Sequence, residues 1–485
     1  MQERVLSHFL ERLAVEPATA EIVECAARAD DKLVVTGARA GAAPALLALL
    51  ARRLGRTMLV VTSSLERAEA LTDGLAFFGA RPLIYPSFET LPFEETEPVL
   101  HIAAARNAVL AELAHLDPEA PQAAPLIVAP VDALAFRPLP REALLHQSLT
   151  IRWGQTLDPE ALAAQLVGMG FRREALVESP GEFAIRGSII DVYPPDASNP
   201  WRLDLFGEEI DQIRAFDPQT QRSLPRDAET EAVRILAPGC VEPKLAWLRA
   251  GHALGSLFDL LPENSLVVLD GPFRLDQRLR RFDEIATRHW GDIQRIQHND
   301  QVSFFVEHNL TPGQWLLSRT AVQEALTSFQ SLDLTDLGSD IEEEEDNRPA
   351  EEALAGRRLT FPAQGFESVT SQFQNYLGLI RERLRKGHWV AIVCDNNGQV
   401  MRLDELLREN EISALPLVDG QPAPALPRSA ADRCPDVLLM VGDLHEGFHS
   451  PQAGIFIVTD REIFGRYKRR SEEHTSELQS LRVIS

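Results

Sequence analysis

The stretch VVTGARAGAAPALLALL, from Val34 to Leu50, has the outline of a strand, a turn of small residues and a helix. A phosphate-binding loop of this outline reads G-x-x-x-x-G-K-S/T, in which lysine reaches the β/γ-phosphates and the hydroxyl holds Mg²⁺. Here Gly37 and Gly41 are spaced one residue too closely, and Ala42 and Ala43 replace the lysine and the hydroxyl residue. The stretch therefore predicts a degenerate nucleotide loop that is no ATPase.

Two features could still give this loop a ligand. The N–H groups of a helix N-terminus can hold an anion without a lysine, and Arg39 could supply a cation. The simpler interpretation is that the glycines permit a tight strand-to-helix turn. No acidic pair that would hold Mg²⁺ follows an apolar strand in this region, so we expect no catalytic residue here.

Length and composition restrict the class of protein. A chain of 485 residues is too long for one core and predicts three or four domains. The formal charge of −24 argues against nucleic-acid binding over the whole surface. The N-terminus lacks the apolar core of a signal peptide and no run reaches membrane-spanning length, so we expect a cytoplasmic protein without membrane contact. Four widely spaced cysteines predict buried, reduced thiols and no metal site: Cys25, Cys240, Cys394 and Cys434.

The order of apolar runs predicts an α/β multidomain fold. Apolar strands alternate with Ala/Leu-rich helices at the start of the chain, as in a parallel sheet covered on both faces. A stretch of alternating apolar and polar residues then predicts a small inserted α+β domain, and α/β character returns afterwards. The predicted units are residues 1–138 (α/β), 139–228 (α+β), 229–338 (α/β), 339–352 (acidic linker), 353–469 (a further α/β domain) and 470–485 (tail).

The tail RSEEHTSELQS resembles the translated read-through of a sequencing adaptor. We therefore expect residues 470–485 to be non-native, and the natural chain to continue beyond Arg469. A polar helical tail is the alternative.

The most informative segment is GEFAIRGSIIDVYP followed by WRLDLFGEEIDQIRAFDPQTQRSL. Alternation predicts that Phe183, Ile185 and Ile189 share one strand face and send Arg186 to the other. A second strand, 201–206, would place Arg202 and Phe206 with Arg186 on one exposed face of the sheet. Arginine beside an exposed aromatic is typical of a protein-binding hot spot. The alternative is that each arginine pairs with a local carboxylate and that Phe206 lies in the core.

Other polar clusters are weaker candidates. The basic clusters Arg52-Arg53-Arg56 and Arg278-Arg280-Arg281 could contact DNA, but solvated helix faces are the more usual origin of such runs. The stretch GDLHEGFHSP contains His445, Glu446 and His449, and an ordinary polar loop explains it better than a metal site.

The segment beginning GEFAIRG resembles the domain that docks UvrA, which is shared by the bacterial transcription-repair coupling factors and the excision-repair subunit UvrB. The upstream block YPSFETLPFEETEPVLHIAAAR (Tyr85 to Arg106) and the later FIVTDREIFGRYKRR resemble further segments of the coupling factors. The resemblance extends from about Val34 to Arg469.

This resemblance implies a UvrB-like domain 1a at 1–138, a UvrA-interaction domain at 139–228, a domain 1b at 229–338 that packs with domain 1a, and a third domain at 353–469. It also implies that Arg186, Arg202 and Phe206 contact UvrA, with the arginines gripping acidic groups.

The resemblance further implies that the domains that bind RNA polymerase and translocate on double-stranded DNA are missing here. ATP and Mg²⁺ belong to those missing domains, so no cofactor is expected in this chain. The leading interpretation is thus a module that recruits UvrA to stalled transcription. The alternatives are a UvrB-like helicase-type ATPase and a DNA-binding module.

Overall fold

A computed structural model describes residues 2–28, 32–38, 41–117, 124–225, 229–295, 303–335, 356–365, 373–417, 434 and 436–464. The predicted acidic linker at 339–352, the tail at 470–485 and Arg39 lie outside these residues.

Within the described part, helices and strands alternate along most of the chain. The strands are β1 (Leu33–Thr36), β2 (Met58–Thr62), β3 (Pro82–Ile84), β4 (Leu126–Pro130), β5 (Ser148–Arg152), β6 (Arg172–Arg173), β7 (Glu182–Arg186), β8 (Ile189–Val192), β9 (Trp201–Phe206), β10 (Glu209–Ala215), β11 (Ala232–Leu236), β12 (Leu266–Asp270), β13 (Gln330–Thr335), β14 (Arg357–Thr360), β15 (Trp389–Cys394), β16 (Ala414–Pro416), β17 (Val437–Val441), β18 (Phe448–Ser450) and β19 (Ile455–Thr459). The helices are α1 (Gln2–Ala14), α2 (Pro17–Ala27), α3 (Ala42–Leu54), α4 (Leu65–Phe77), α5 (Leu100–Ala114), α6 (Arg141–Leu145), α7 (Pro159–Gly168), α8 (Glu242–Arg249), α9 (Pro272–Arg295), α10 (Phe304–Glu307), α11 (Pro312–Trp315), α12 (Arg319–Thr327), α13 (Phe373–Arg385), α14 (Asn397–Glu409) and α15 (Asp460–Phe464).

The first unit is a parallel sheet of seven strands in the order β14-β1-β13-β12-β2-β4-β3. One face packs on α1 to α4, and the other packs on a core that includes residues of α5, α8, α9 and α12. Both faces are thus covered, which confirms the predicted α/β class and explains why the strands are apolar at nearly every position. Strand β14, which falls within the predicted domain 353–469, is an edge strand of this sheet.

The second unit is inserted between β4 and β12. Strands β6 to β10 form a sheet that is antiparallel except for the β6–β7 pair. Helix α7 covers one face of this sheet, and the β5–β11 pair joins the same core at the point where the chain enters and leaves the unit. The strands of this small α+β unit therefore run from Ser148 to Leu236, against the predicted 139–228.

The third unit contains a sheet in the order β16-β17-β15-β19-β18, in which only β18 runs antiparallel. Its core is continuous with that of the first unit, because buried residues of β15 and β17 pack in the same cluster as α1, α3 and α4. The turn after β17 contacts the loop before α3, where a Cβ on Gly41 would lie 2.1 Å from the carbonyl oxygen of Glu446.

We predict that Gly41→Ala destabilises the protein by about 1–3 kcal/mol, because a methyl group forced against a main-chain carbonyl must displace one of the two units. Urea unfolding measures the change. Gly291→Ala is the matched control, since a Cβ on this α9 glycine meets nothing within 4 Å. The control is expected to be neutral or to stabilise the protein by up to about 1 kcal/mol. Equal stability of the two variants would contradict the close approach at Gly41.

Candidate protein-docking face

The second sheet face of the inserted unit lies on the side away from α7, and it is partly covered by a small cluster that contains Val177 and Phe216. In the β7–β8 hairpin Arg186 lies opposite Ile189, and β8 pairs with β9 so that Asp191 lies opposite Arg202. Alternation along β9 then places Phe206 on the same side as Arg202. We call this surface the arginine face, and it comprises Ala184, Arg186, Ile189, Asp191, Arg202, Asp204 and Phe206.

The position of Ile189 differs from the sequence prediction. We expected Ile189 to share the core face with Phe183 and Ile185, whereas it lies across from Arg186 on the arginine face. The prediction was wrong because it continued one strand through Gly187-Ser188, where the chain reverses in a tight turn with Gly187 at φ 63°. The reversal changes which positions share a face, and Ile190 takes the core position instead.

A buried carboxylate holds the two arginines together. Asp191 is fully buried and accepts from Arg186 Nη2 at 2.5 Å on Oδ2. Arg202 donates to the same carboxylate through Nε at 2.7 Å on Oδ1 and Nη2 at 2.9 Å on Oδ2, a bidentate arrangement. Each arginine therefore pairs with a local acid, as the alternative predicted, and both arginines also lie on one face of the sheet.

The two arginines differ in their environment. Arg202 has a side chain only 11% exposed and stacks over the ring of buried Phe216, with Cζ 4.3 Å from the ring centroid. Hydrogen bonding to Asp191 raises the pKa of Arg202 despite the opposing effect of its burial. Arg186 is 39% exposed, so it presents N–H groups beyond the one that contacts Asp191. Arg202 thus supports the face, and Arg186 reaches outward from it.

Phe206 is 83% exposed at the end of β9, where the chain turns into β10. The alternative that Phe206 lies in the core is therefore wrong. A fully exposed ring gains about 1.5–3 kcal/mol when a partner buries it. An exposed aromatic on the same face as an outward arginine can therefore act as an anchor for a partner with an apolar recess and an acidic group.

The degenerate nucleotide loop is covered by other parts of the chain. Gly37 adopts φ 81°, and a Cβ there would lie 2.5 Å from the carbonyl oxygen of Phe361. Ala42 and Ala43 are fully buried in the first turn of α3, and the main chain at Glu446 covers Gly41. The space beside this helix N-terminus is thus taken by the third unit, and the turn packs main chain against main chain.

Several of the remaining sequence candidates form contacts within the protein. Arg278 and Arg280 form ion pairs with Asp132 and Asp276. Arg56 donates to the carbonyl oxygen of Ala26 at 2.5 Å. Of the cysteines, Cys394 and Cys434 are buried as expected, whereas Cys25 and Cys240 are half-buried.

The histidine-containing loop does not form a metal site. His445 Nε2 lies 3.1 Å from Asp73 of α4, and His449 stacks on His388. Among the residues that the structure describes, no group of three or more His, Cys, Asp or Glu side chains is arranged to hold a metal. In the same part of the chain, no helix is long and apolar enough to cross a membrane.

A buried cationic cage is a feature that sequence reasoning missed. Arg106, 2% exposed, donates to the carbonyl oxygen of Pro86 and the hydroxyl of Tyr85, each at 2.6 Å. Lys244 places Nζ 3.9 Å from the centroid of the Trp315 ring, and its burial lowers the pKa of the amine to about 7. Single basic residues such as these form no recognisable motif in a sequence. The aromatic-rich block that contains Tyr85 and Arg106 is the signal that could have located the cage.

Comparison with known proteins agrees with this geometry. The family model described as the UvrB interaction domain matches residues 149–237, which is the inserted unit that carries the arginine face. The chain is thus an α/β protein that contains a UvrB interaction domain.

The similarity to full-length relatives extends further. The transcription-repair-coupling factor of Myxococcus xanthus is 28% identical over 510 residues, covering 93% of this chain and 40% of that protein. That of Bacillus subtilis is 24% identical over 90% of the chain, and that of Escherichia coli is 34% identical over 202 residues, 41% of the chain. This chain is therefore similar in sequence to the transcription-repair-coupling factors over most of its length. It spans about two-fifths of the length of the first two relatives.

Restoring the missing residues of the nucleotide loop should not restore ATP binding. In the double variant Ala42→Lys, Ala43→Thr both new side chains enter fully buried positions, and the main chain at Glu446 still covers the loop. We expect no saturable binding of a fluorescent ATP analogue with Mg²⁺, together with a loss of stability from the buried lysine. Magnesium-dependent ATP binding by a folded double variant would contradict this prediction.

Replacing Lys244 by methionine should stabilise the protein at neutral pH. A pKa lowered to about 7 in the folded state means that folding opposes protonation. The resulting penalty is full below pH 7 and disappears as the pH rises towards the unfolded value near 10. Lys244→Met should raise the free energy of unfolding by about 1–3 kcal/mol at pH 7, and by less at pH 9. Urea unfolding at both pH values measures it. A variant that is less stable at pH 7 would show that the cation–π contact with Trp315 dominates.

Proposed function

We propose that this chain is a protein-docking module that binds UvrA through the arginine face. The observation that carries the proposal is the exposed ring of Phe206 on the same sheet face as Arg186 and Arg202, in the unit that matches the UvrB interaction domain. A rigid face with one apolar anchor and one outward cation suits a partner that offers an apolar recess beside a carboxylate.

The homology to transcription-repair-coupling factors supports a wider role. In this proposal the chain is the part of such a factor that brings UvrA to stalled RNA polymerase, in transcription-coupled nucleotide excision repair in the cytoplasm. Contact with the polymerase and ATP-driven movement on double-stranded DNA would belong to parts of the protein beyond this chain. No catalytic residue, ATP or Mg²⁺ is assigned to the described residues.

The contacts of Asp191 with the two arginines determine which variants change docking without also changing folding stability. Removing Arg202 leaves the buried Asp191 with Arg186 alone, which costs stability on the order of 3 kcal/mol. Arg202→Ala therefore mixes a folding defect with any binding defect. Arg186 and Phe206 are the better probes, because one keeps the bidentate Arg202–Asp191 pair and the other is almost fully solvated.

The test is a calorimetric titration of the complete chain with UvrA from the same organism. We expect Phe206→Ala and Arg186→Ala each to weaken binding by about 1–4 kcal/mol, with unchanged circular dichroism. The effect of Arg186→Ala should diminish at high salt because its partner is a charged group.

Matched controls lie on the opposite side of the same unit. Val167→Ala removes an exposed apolar side chain of α7, and Arg173→Ala removes an exposed arginine that faces Glu160 of α7. Both should bind UvrA as the wild type does. If the wild type fails to bind, or if the control variants lose as much affinity as the two probes, the proposal is wrong.

A further inference from the structure

A pair of stacked histidines lies at the β18 side of the third unit, where Gln364 exchanges main-chain hydrogen bonds with His449. His388 precedes β15 and His449 belongs to the edge strand β18, and their ring centroids are 5.5 Å apart at an interplanar angle of 29°. His449 is 94% buried, at 6% exposure, while His388 is half-buried. The ring of Phe456 meets His449 edge-on at 5.7 Å. The pair is therefore buried at His449 and partly accessible to solvent at His388.

Three buried nitrogen atoms in this cluster have no hydrogen-bond partner among the described residues. They are Nε2 of His449, Nδ1 of His388 and Nε of Arg383, which lies in the last turn of α13. Buried polar atoms in folded proteins are almost always hydrogen-bonded, so three unpartnered nitrogens in one cluster indicate a bound ligand or ordered water. The Arg383 nitrogen can only donate, and each of the two histidine nitrogens donates when it carries a proton, so a single acceptor can satisfy all three.

The charges around the pair favour an anionic acceptor. Arg383 and Lys386 from the end of α13 act on both histidines, and Arg12 of α1 acts on His388. The carboxylate that faces the pair is that of Glu382, which Lys386 Nζ binds at 2.6 Å and which also lies 3.8 Å from Arg383 Nη1. One carboxylate thus faces two cations at this end of α13. Burial and then these cations lower the pKa of His449 to about 4 and also lower that of His388. Both rings are thus neutral at pH 7 in the absence of a counter-charge.

We propose that this cluster is a binding site for a small oxyanion of the phosphate or sulfate type. The anion accepts hydrogen bonds from Arg383 Nε and from the two histidine rings, and it offsets the positive charge of Arg383 and Lys386 that Glu382 leaves in excess. The site joins the end of α13 to the edge strand β18, so an occupant stabilises the outer edge of the third unit. It is independent of the arginine face and of the proposed docking of UvrA.

The test uses sulfate, which stays dianionic between pH 5.5 and 7.5, so that any pH dependence reports on the protein. Calorimetric titration at constant ionic strength should show one site with tighter binding at pH 5.5, by about tenfold, because the bound anion favours protonated histidine. Inorganic phosphate and a single-stranded oligonucleotide are titrated in parallel. Competition by the oligonucleotide identifies a nucleic-acid phosphate as the source, whereas competition by inorganic phosphate alone identifies a free anion.

Two variants and a control locate the site. Arg383→Gln should weaken sulfate binding about tenfold, and His449→Phe should remove most of the pH dependence while it preserves the packing beside Phe456. Arg385→Gln, an exposed position on the same helix, should bind sulfate as the wild type does. The proposal fails if sulfate does not bind to the wild type. It also fails if Arg383→Gln binds sulfate as tightly as the wild type, which would mean that water fills the cluster.

Discussion

The parallel sheet of the first unit depends on strands from three separate stretches of the chain. Strands β12 and β13, which follow the inserted unit, lie between β1 and β2, which precede it, and β14 adds to the edge. A buried strand must pair its main-chain groups on both sides, so no single stretch can satisfy its own hydrogen bonds. The inserted unit must therefore leave and return at neighbouring points, and the β5–β11 pair forms this junction.

The inserted unit is organised around the carboxylate of Asp191. An unpaired carboxylate at full burial would cost several kcal/mol, and the two arginines offset that cost. The same contacts orient Arg186 and Arg202 and reduce the side-chain entropy that a partner must otherwise remove on binding. Folding stability and the proposed docking of UvrA thus depend on the same network, and we expect the loss of Arg202 to weaken both.

The first and third units meet where a nucleotide loop would hold phosphates. With alanines in place of lysine and hydroxyl residues, the first turn of α3 offers main-chain groups and small side chains only. Main chain from the turn after β17 approaches Gly41 closely, as only glycine permits. The loop is a packing surface between the two units. The chain keeps the strand-turn-helix shape of a nucleotide loop without the side chains that bind phosphate and Mg²⁺.

The sequence alone determined the α/β class, the strand and helix at the degenerate loop, and the candidate docking residues, because apolar periodicity and motif spacing are local properties. Its errors and omissions have a common cause. The face on which Ile189 lies depends on a hairpin reversal. Strand β14 joins the first sheet by pairing with a distant strand, β1. Asp191 meets both arginines because of the register between β8 and β9. The cage around Lys244 and the stacked His388–His449 pair join residues far apart in the chain. Only the tertiary structure decides such contacts, since long-range register and burial are set by how whole sheets pack and by no short stretch of sequence.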